Sequence, residues 1–189
     1  MKEAIKVFNS WANQNKDEGM EKNHAFSVNK MLDLIPSKKL LSDFSFIDIG
    51  CGNGWVVKKM GATKNCIKSV GIDGAEKMIQ KAMAKDKNSK YFQFNIETMR
   101  YKEQFDIIFS MEVFYYFRNP MNVLNYIYKY ILKPRGSMII GIDHYLENPS
   151  SLSWSKDLNL DLQTYSINQW RSMFTRADFK NIKTYQFGA

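Results

Sequence analysis

Short apolar runs alternate with amphipathic helical patterns through the middle of this chain, and that order restricts the folds open to it. Several runs are apolar at consecutive positions, as in parallel strands that are covered on both faces. Helices between parallel strands pack on both faces of the sheet through right-handed crossovers. We therefore expect an α/β fold with a doubly wound, mostly parallel sheet. The predicted strands are 44–50, 69–73, 91–95, 105–111, 137–143 and 181–187.

Helical patterns occupy the intervals between these strands. The clearest has an apolar stripe over 123–132 and follows Asn119-Pro120, a typical helix start. Another begins at Ser166 with Gln169 three positions later, which predicts a capping box. The chain therefore reads as strand and helix in alternation.

The segment Asp48-Ile49-Gly50-Cys51-Gly52-Asn53-Gly54 leads from the first predicted strand into a turn and a helix. Glycine permits a tight turn and a close backbone approach to a ligand, which a Cβ would prevent. A dinucleotide fingerprint, Gly-x-Gly-x-x-Gly, would need glycine at position 55, which is Trp55 here. The third glycine comes one residue early, so the spacing argues against a nicotinamide or flavin site.

This spacing, with an acidic residue two positions before the first glycine, resembles motif I of the class I (Rossmann-like) S-adenosylmethionine-dependent methyltransferases. The turn Leu132-Lys133-Pro134-Arg135-Gly136 is similar to the family's Leu-x-Pro-Gly-Gly, with Arg135 in place of one glycine. The resemblance covers 44–143. It implies a methyltransferase (EC 2.1.1.-) that uses S-adenosyl-L-methionine and releases S-adenosyl-L-homocysteine.

The resemblance assigns cofactor contacts to residues that follow the predicted strands. Asp73 is expected to accept hydrogen bonds from the ribose hydroxyls, and Asn95 stands where the family often has an aspartate near the adenine. Ser110 is expected beside the methionine moiety and the transferred methyl group. No metal site is predicted. The full predicted set is Asp48, Gly50, Cys51, Gly52, Gly54, Asp73, Gly74, Ala75, Met78, Asn95, Ile96 and Ser110.

The outer parts of such chains usually select the methyl acceptor. We expect one methyltransferase domain, 1–189, with a helical cap at 1–43 and a cofactor-binding core at 44–143. Residues 144–189 form an acceptor-side segment with a helix and the final strand. A base could assist a hydroxyl, amine or thiol acceptor, and the candidates are His144, His24 and Tyr115, in that order. The alternative for each is a surface or packing role.

Motifs of several acceptor classes are missing. Enzymes that methylate exocyclic base amines carry Asn/Asp-Pro-Pro-aromatic after strand four, where this chain has Ser110-Met111-Glu112-Val113. The Pro-Cys of cytosine methylation is absent, and protein arginine methylation would need a second glutamate beside Glu112. An O, N or S atom of a small molecule is the leading acceptor. The alternatives are a tRNA or protein methyltransferase, and a non-catalytic S-adenosylmethionine-binding protein.

The formal net charge of +8 comes from lysines scattered between Lys2 and Lys183, without a basic block. This distribution disfavours a nucleic-acid partner and a membrane surface. The N-terminus lacks an apolar signal region, and no run is long enough to span a bilayer. The two cysteines, Cys51 and Cys66, are expected to be reduced thiols. We therefore expect a cytoplasmic protein.

The resemblance also predicts an anomaly at the sheet edge. A complete class I methyltransferase sheet has seven strands, the last antiparallel and inserted between the fifth and sixth. This chain ends directly after the predicted sixth strand, without the antiparallel one. Either the chain is short or truncated, or a second subunit in a homodimer covers the open edge.

Overall fold

The computed structural model describes residues 1–98 and 100–187, and its centre is a sheet of parallel strands with helices on both faces. The sheet order is β3-β2-β1-β4-β5, and every neighbouring pair is parallel. The doubly wound prediction is confirmed. Strand order reverses between β1 and β4, and ligands of such sheets bind beyond the carboxyl ends of the strands at this reversal. The strands are β1 Phe44–Ile49, β2 Cys66–Asp73, β3 Lys90–Gln93, β4 Phe105–Met111 and β5 Leu132–Gly141.

The helices begin at the signals that the sequence carries. Asn119 accepts a hydrogen bond from the Asn122 amide at the start of α6, and Ser166 and Gln169 form the expected capping box of α8. None of the helices in the described ranges is long and apolar enough to cross a bilayer. The helices are α1 Lys2–Asn13, α2 Lys16–Asp33, α3 Ser37–Leu40, α4 Trp55–Gly61, α5 Glu76–Lys85, α6 Pro120–Tyr126, which continues as a π-helical turn Ile127–Ile131, α7 Trp154–Asp157 and α8 Ile167–Arg176, with 3₁₀ turns at Phe114–Tyr116 and Pro149–Ser151.

β1 lies at the centre of the sheet, and all six of its residues are buried. Phe44 and Phe46 pack on one face of the sheet, in a cluster with residues of α2 and α4. Ile47 and Ile49 pack on the other face, in a cluster with residues of α6 and α8. Both faces of β1 are therefore covered, which explains why its sequence is apolar at consecutive positions.

Helices α1 and α2 precede the sheet and cover the carboxyl end of its central strands. α1 packs against α5 through Phe8 and Trp11, which contact a small cluster of Ala12, Ala75 and Met78. α2 packs Val28 and Met31 against the face of the sheet that carries Phe46 and Phe109. These contacts hold the two helices above the ends of β1, β2 and β4.

The prediction of a strand at 181–187 is wrong, because 182–187 form no regular secondary structure. An open groove of about 1510 Å³ is lined by this segment and by β5. A strand needs a hydrogen-bonded neighbour, and within the described ranges the segment joins no ladder of the sheet. Its alternating apolar pattern therefore does not make it a strand.

Substituting Ile47 by alanine should destabilise the protein by about 2–5 kcal/mol, because its fully buried side chain leaves a cavity in the packed face of β1. Ile67→Ala is the matched control: this isoleucine of β2 is 66% exposed, so its loss should cost less than about 0.5 kcal/mol. Urea unfolding of both variants measures the free energies. Equal losses at the two positions would contradict the central placement of β1.

Candidate active site

The glycine loop begins where β1 ends, and its three glycines have positive φ of +80° at Gly50, +52° at Gly52 and +79° at Gly54. The amides of Gly50 and Cys51 both donate to the carbonyl of Ile72 on β2, at 2.7 and 3.0 Å. A Cβ at Gly50 would lie 2.2 Å from Val113 Cγ2, whereas one at Gly52 would meet no described atom within 4 Å. Gly50 therefore serves close packing, and Gly52 faces open space.

Asp73 joins this loop to the end of β2 and the start of α5. Its Oδ2 accepts a hydrogen bond from the Gly52 amide at 2.9 Å, and its Oδ1 accepts one from the Ala75 amide at 2.7 Å. Burial raises the pKa of this carboxyl, against the opposing effect of the amides of Ala75, Gly52 and Gly74. Asp73 therefore sets the position of the glycine loop.

Asp48 is buried without a partner for one of its oxygens. The residue is 3% exposed, and Oδ1 has no hydrogen-bond partner among the described residues. Burial, together with the negative charge of Asp73, raises the pKa of Asp48 well above its usual value. A buried carboxylate without a partner is unfavourable, so this position suits a ligand that brings a cation or a hydrogen-bond donor.

A small cavity of about 80 Å³ lies between the glycine loop, the carboxyl end of β4 and one side of α2. Four carboxyl side chains line it, along with His24 as its single histidine, and no described Lys or Arg side chain does so. Its lining consists of Asp17, Met20, Glu21, His24, Val28, Asp48, Gly50, Cys51, Gly52, Asn53, Trp55, Val56, Met78, Phe109, Met111 and Glu112.

The start of α2 is fastened to the glycine loop through Asp17, which is 3% exposed. Its Oδ2 accepts a hydrogen bond from Asn53 Nδ2 at 3.0 Å, and its Oδ1 lies 2.6 Å from Lys81 Nζ. Lys81 also donates to Asn15 Oδ1 at 2.7 Å. Burial alone would raise the pKa of Asp17, but the bonds from Lys81 and Asn53 leave it below its usual value. Asp17 is therefore a paired carboxylate, unlike Asp48.

Helix α1 covers the residues predicted to lie near the adenosine. A Cβ at Gly74 would lie 2.6 Å from Ile5 Cδ1, and Asn9 Oδ1 accepts a hydrogen bond from the Lys77 amide at 2.9 Å. Asn95 uses its side-chain oxygen locally, accepting from the Glu97 amide at 3.2 Å. Three further predicted residues are almost completely buried in this region: Ala75, Met78 and Ile96.

Two further predicted cofactor residues have their polar groups engaged within the fold. Ser110 is fully buried, and its hydroxyl donates to the Ile49 carbonyl at 2.6 Å, so its predicted contact with the cofactor does not come from a free hydroxyl. Met111 and Glu112, the next two residues, line the cavity instead. Cys51 lines the cavity, but burial raises the pKa of its thiol well above the usual value, so the thiol stays protonated.

His144 does not reach the cavity. Its side chain is fully buried, with Nδ1 2.9 Å from the Ser151 carbonyl and Nε2 2.8 Å from Thr164 Oγ1. Because a carbonyl only accepts, Nδ1 donates to Ser151, while Nε2 is hydrogen-bonded to the threonine hydroxyl. Both nitrogens are thus engaged inside the protein, and the assignment of His144 as the first candidate base stays a prediction. His24, by contrast, lies on the cavity wall.

Tyr115 is 2% exposed and donates its hydroxyl to Glu112 Oε2 at 2.7 Å. Burial raises the pKa of Tyr115 well above its usual value, with the nearby Glu112 charge adding to the effect, so the phenol remains protonated. Tyr115 does not line the cavity itself, but its hydrogen-bond partner Glu112 does. Sequence reasoning missed Glu112 as a site residue, although a carboxylate directly after β4, at the reversal of strand order, was the signal available.

Solved structures similar to this chain share its fold. A Haloferax volcanii methyltransferase, solved in complex with the Trm112 methyltransferase activator, has a TM-score of 0.82 and 27% sequence identity, over 90% of this chain and 75% of that one. A Thermotoga maritima S-adenosylmethionine-dependent methyltransferase has a TM-score of 0.71 at 17% identity, over 93% of this chain and 80% of that one. The second likeness concerns the fold alone.

Sequence relatives match a shorter region. A tRNA U34 carboxymethyltransferase of Vibrio campbellii is 32% identical over 97 residues, which is 48% of this chain and 30% of that protein. The chain spans about a third of the length of the curated relatives it matches. A family model described as a methyltransferase domain matches residues 16–184, which includes the glycine loop, Asp73 and α2. This chain therefore belongs to the methyltransferase-domain family.

Proposed function

We propose that this chain transfers a methyl group from S-adenosyl-L-methionine to an O, N or S atom of an uncharged or cationic small molecule. The observation that carries this proposal is the acidic cavity at the glycine loop. Asp17, Glu21, Asp48 and Glu112 line it without a described Lys or Arg side chain, although the whole chain has a net charge of +8.

The residues around the loop fit the cofactor. Asp48 offers an unpartnered carboxylate to the ammonium group, and the open space at Gly52 allows close approach of the backbone. The carboxylate of Asp73 retains acceptor capacity for the ribose hydroxyls, since its two oxygens offer about four lone-pair sites and the amides of Gly52, Gly74 and Ala75 interact with no more than three. When bound, the cofactor supplies a methyl group already activated by a positively charged sulfur. The chain's own task is to align the acceptor with that methyl group and to exclude water.

The cap has to move for the cofactor to enter. The cavity measures about 80 Å³, whereas pockets for ligands of this size occupy roughly 300–1,000 Å³. α1 covers Gly74 and Ala75, so its displacement from α5 supplies the missing room on the adenosine side. The Asp17 contacts with Asn53 and Lys81 hold α2 beside the loop while α1 opens.

The residues that line the cavity favour a small-molecule methyl acceptor over a nucleic acid. Nucleic-acid binding depends mainly on Lys and Arg contacts to phosphate groups. The cavity offers carboxyl groups and no described Lys or Arg side chain for a phosphate group, so it suits an amine or a neutral hydroxyl compound better than a polyanion.

A tRNA acceptor is the second candidate, because curated relatives are tRNA U34 carboxymethyltransferases. For this candidate the basic contacts would lie outside the cavity, on the surface around it. If the acceptor is tRNA, we also propose that this chain assembles with an activator protein, as in the Haloferax volcanii complex.

The class of methyl acceptor can be determined by incubating the protein with methyl-labelled S-adenosylmethionine and, in separate reactions, a metabolite extract or bulk tRNA. We expect label in the cationic and neutral fractions of a metabolite extract and none in bulk tRNA, because carboxylates line the cavity. Chromatography of the labelled products measures the distribution. Label confined to tRNA would overturn the small-molecule proposal in favour of the second candidate.

Substituting Asp48 by asparagine should weaken S-adenosylhomocysteine binding by about tenfold or more, because a charge-assisted hydrogen bond to the ammonium is lost. The same change should stabilise the ligand-free protein as pH rises. The folded-state pKa of Asp48 lies above the unfolded value, so wild-type stability falls with increasing pH between the two values. The difference from the variant should grow by up to about 1.4 kcal/mol per pH unit in that window.

Calorimetric titration and thermal unfolding between pH 5 and 8 measure the two effects of Asp48→Asn. Asp161→Asn, a change at an exposed aspartate, is the control and should alter neither. Unchanged affinity for S-adenosylhomocysteine in Asp48→Asn would remove this residue from the cofactor site.

His144→Ala should destabilise the protein by about 2–4 kcal/mol, because the Ser151 carbonyl and the Thr164 hydroxyl lose their buried partner. The folded fraction should keep a kcat within about threefold of wild type, since the imidazole packs 5.4 Å from the Tyr115 ring but does not itself line the cavity. Urea unfolding and steady-state assays normalised to folded protein separate the two effects. A hundredfold fall in kcat without loss of stability would instead support the prediction that His144 is the catalytic base.

A further inference from the structure

Glu112 follows β4 at the point where the strand order reverses, and it lines the cavity opposite the glycine loop. Its φ is +58°, a left-handed backbone conformation that favours glycine. Its amide donates to the Gly141 carbonyl on β5 at 2.9 Å, which holds the backbone in place. Strained residues of this kind cluster at functional sites.

Two hydrogen bonds fix the Glu112 side chain. Tyr115 donates its hydroxyl to Oε2 at 2.7 Å, and the Asp143 amide donates to Oε1 at 2.6 Å. Each carboxylate oxygen accepts two hydrogen bonds when fully satisfied, so both keep a free lone pair. The carboxylate is thus oriented from two elements while it retains capacity for a proton.

The titratable groups around Glu112 come from several elements. Burial first and then the Asp143 charge at the end of β5 raise the pKa of Glu112 to about 8, against the opposing bonds from Tyr115 and the Asp143 amide. The other charged groups of the cavity are Asp48 at the end of β1 and, on α2, Asp17, Glu21 and His24. A carboxyl that titrates near the working pH is suited to exchange a proton during catalysis.

We propose that Glu112 is the catalytic base that accepts the proton of the methyl acceptor, an inference that rests on the proposed small-molecule methylation. A lone pair of the acceptor forms the new bond to the methyl carbon. The carbon–sulfur bond breaks, and its electron pair stays on sulfur as a neutral thioether. The acceptor's proton passes to a free lone pair of Glu112, which later releases it to solvent.

The test compares Glu112→Gln with Glu103→Gln. Glu103 also accepts a hydrogen bond from a tyrosine, Tyr101, but it precedes β4 and so lies at the opposite end of that strand from the cavity. We expect Glu112→Gln to lower kcat by about a hundredfold or more, with S-adenosylhomocysteine affinity within about threefold of wild type. The control should keep wild-type kcat.

The pH dependence supplies readouts that a structural role would not change. Wild-type kcat should rise with pH to a plateau above about 8, and Glu112→Gln should lose this rise. Tyr115→Phe should shift the midpoint upward, because it removes a hydrogen bond that favours the ionised carboxylate. In the ligand-free protein, wild-type thermal stability should fall between pH 5 and 8 more steeply than that of Glu112→Gln, because the folded-state pKa is the higher one.

A Glu112→Gln variant that keeps wild-type kcat or its pH dependence overturns the proposal. If Glu112→Gln does not fold, the proposal is overturned when Tyr115→Phe leaves the midpoint of the pH dependence of kcat unchanged. A wild-type protein that labels only tRNA overturns the acceptor class instead, and the same pH profiles, measured with tRNA, then decide the role of Glu112.

Discussion

The burial of β1 between β2 and β4 is the constraint on which the rest of the structure depends. Its side chains alternate between two packed faces, so neither the register nor the direction of the strand can change without exposing a row of apolar groups. This placement brings the glycine loop, the end of β2 and the end of β4 to one edge. Asp73 and Glu112, distant in sequence, therefore border the same region.

The buried carboxyl groups of the site differ in whether a cation is paired with them. Asp17 is paired with Lys81 and Asn53, and its pKa lies below the usual value. Among the residues that the structure describes, Asp48 and Glu112 have no cationic partner, and burial raises the pKa of both. The paired carboxylate holds the start of α2 beside the glycine loop. In the functions proposed above, Asp48 would bind the cation of the cofactor and Glu112 would accept the proton of the methyl acceptor.

Part of this organisation follows from local sequence pattern. The five strands of the sheet, the glycine loop and the capping box at Ser166 were predictable, because apolar periodicity and glycine spacing act over a few residues. The strand predicted at 181–187 was not, because strand formation depends on a neighbour that the segment itself does not encode. The partner of the Ser110 hydroxyl was not predictable for a related reason, since it is the Ile49 carbonyl on the neighbouring strand β1.

The sequence by itself determined the class of fold and the kind of ligand loop, since these depend on local periodicity and on where a Cβ is absent. The tertiary structure decided which polar side chains are available for chemistry. His144 is enclosed by Ser151 and Thr164, whereas Glu112 reaches the cavity. Whether a side chain can take part in chemistry depends on its burial and on hydrogen-bond partners from distant segments. A local sequence pattern predicts neither of these.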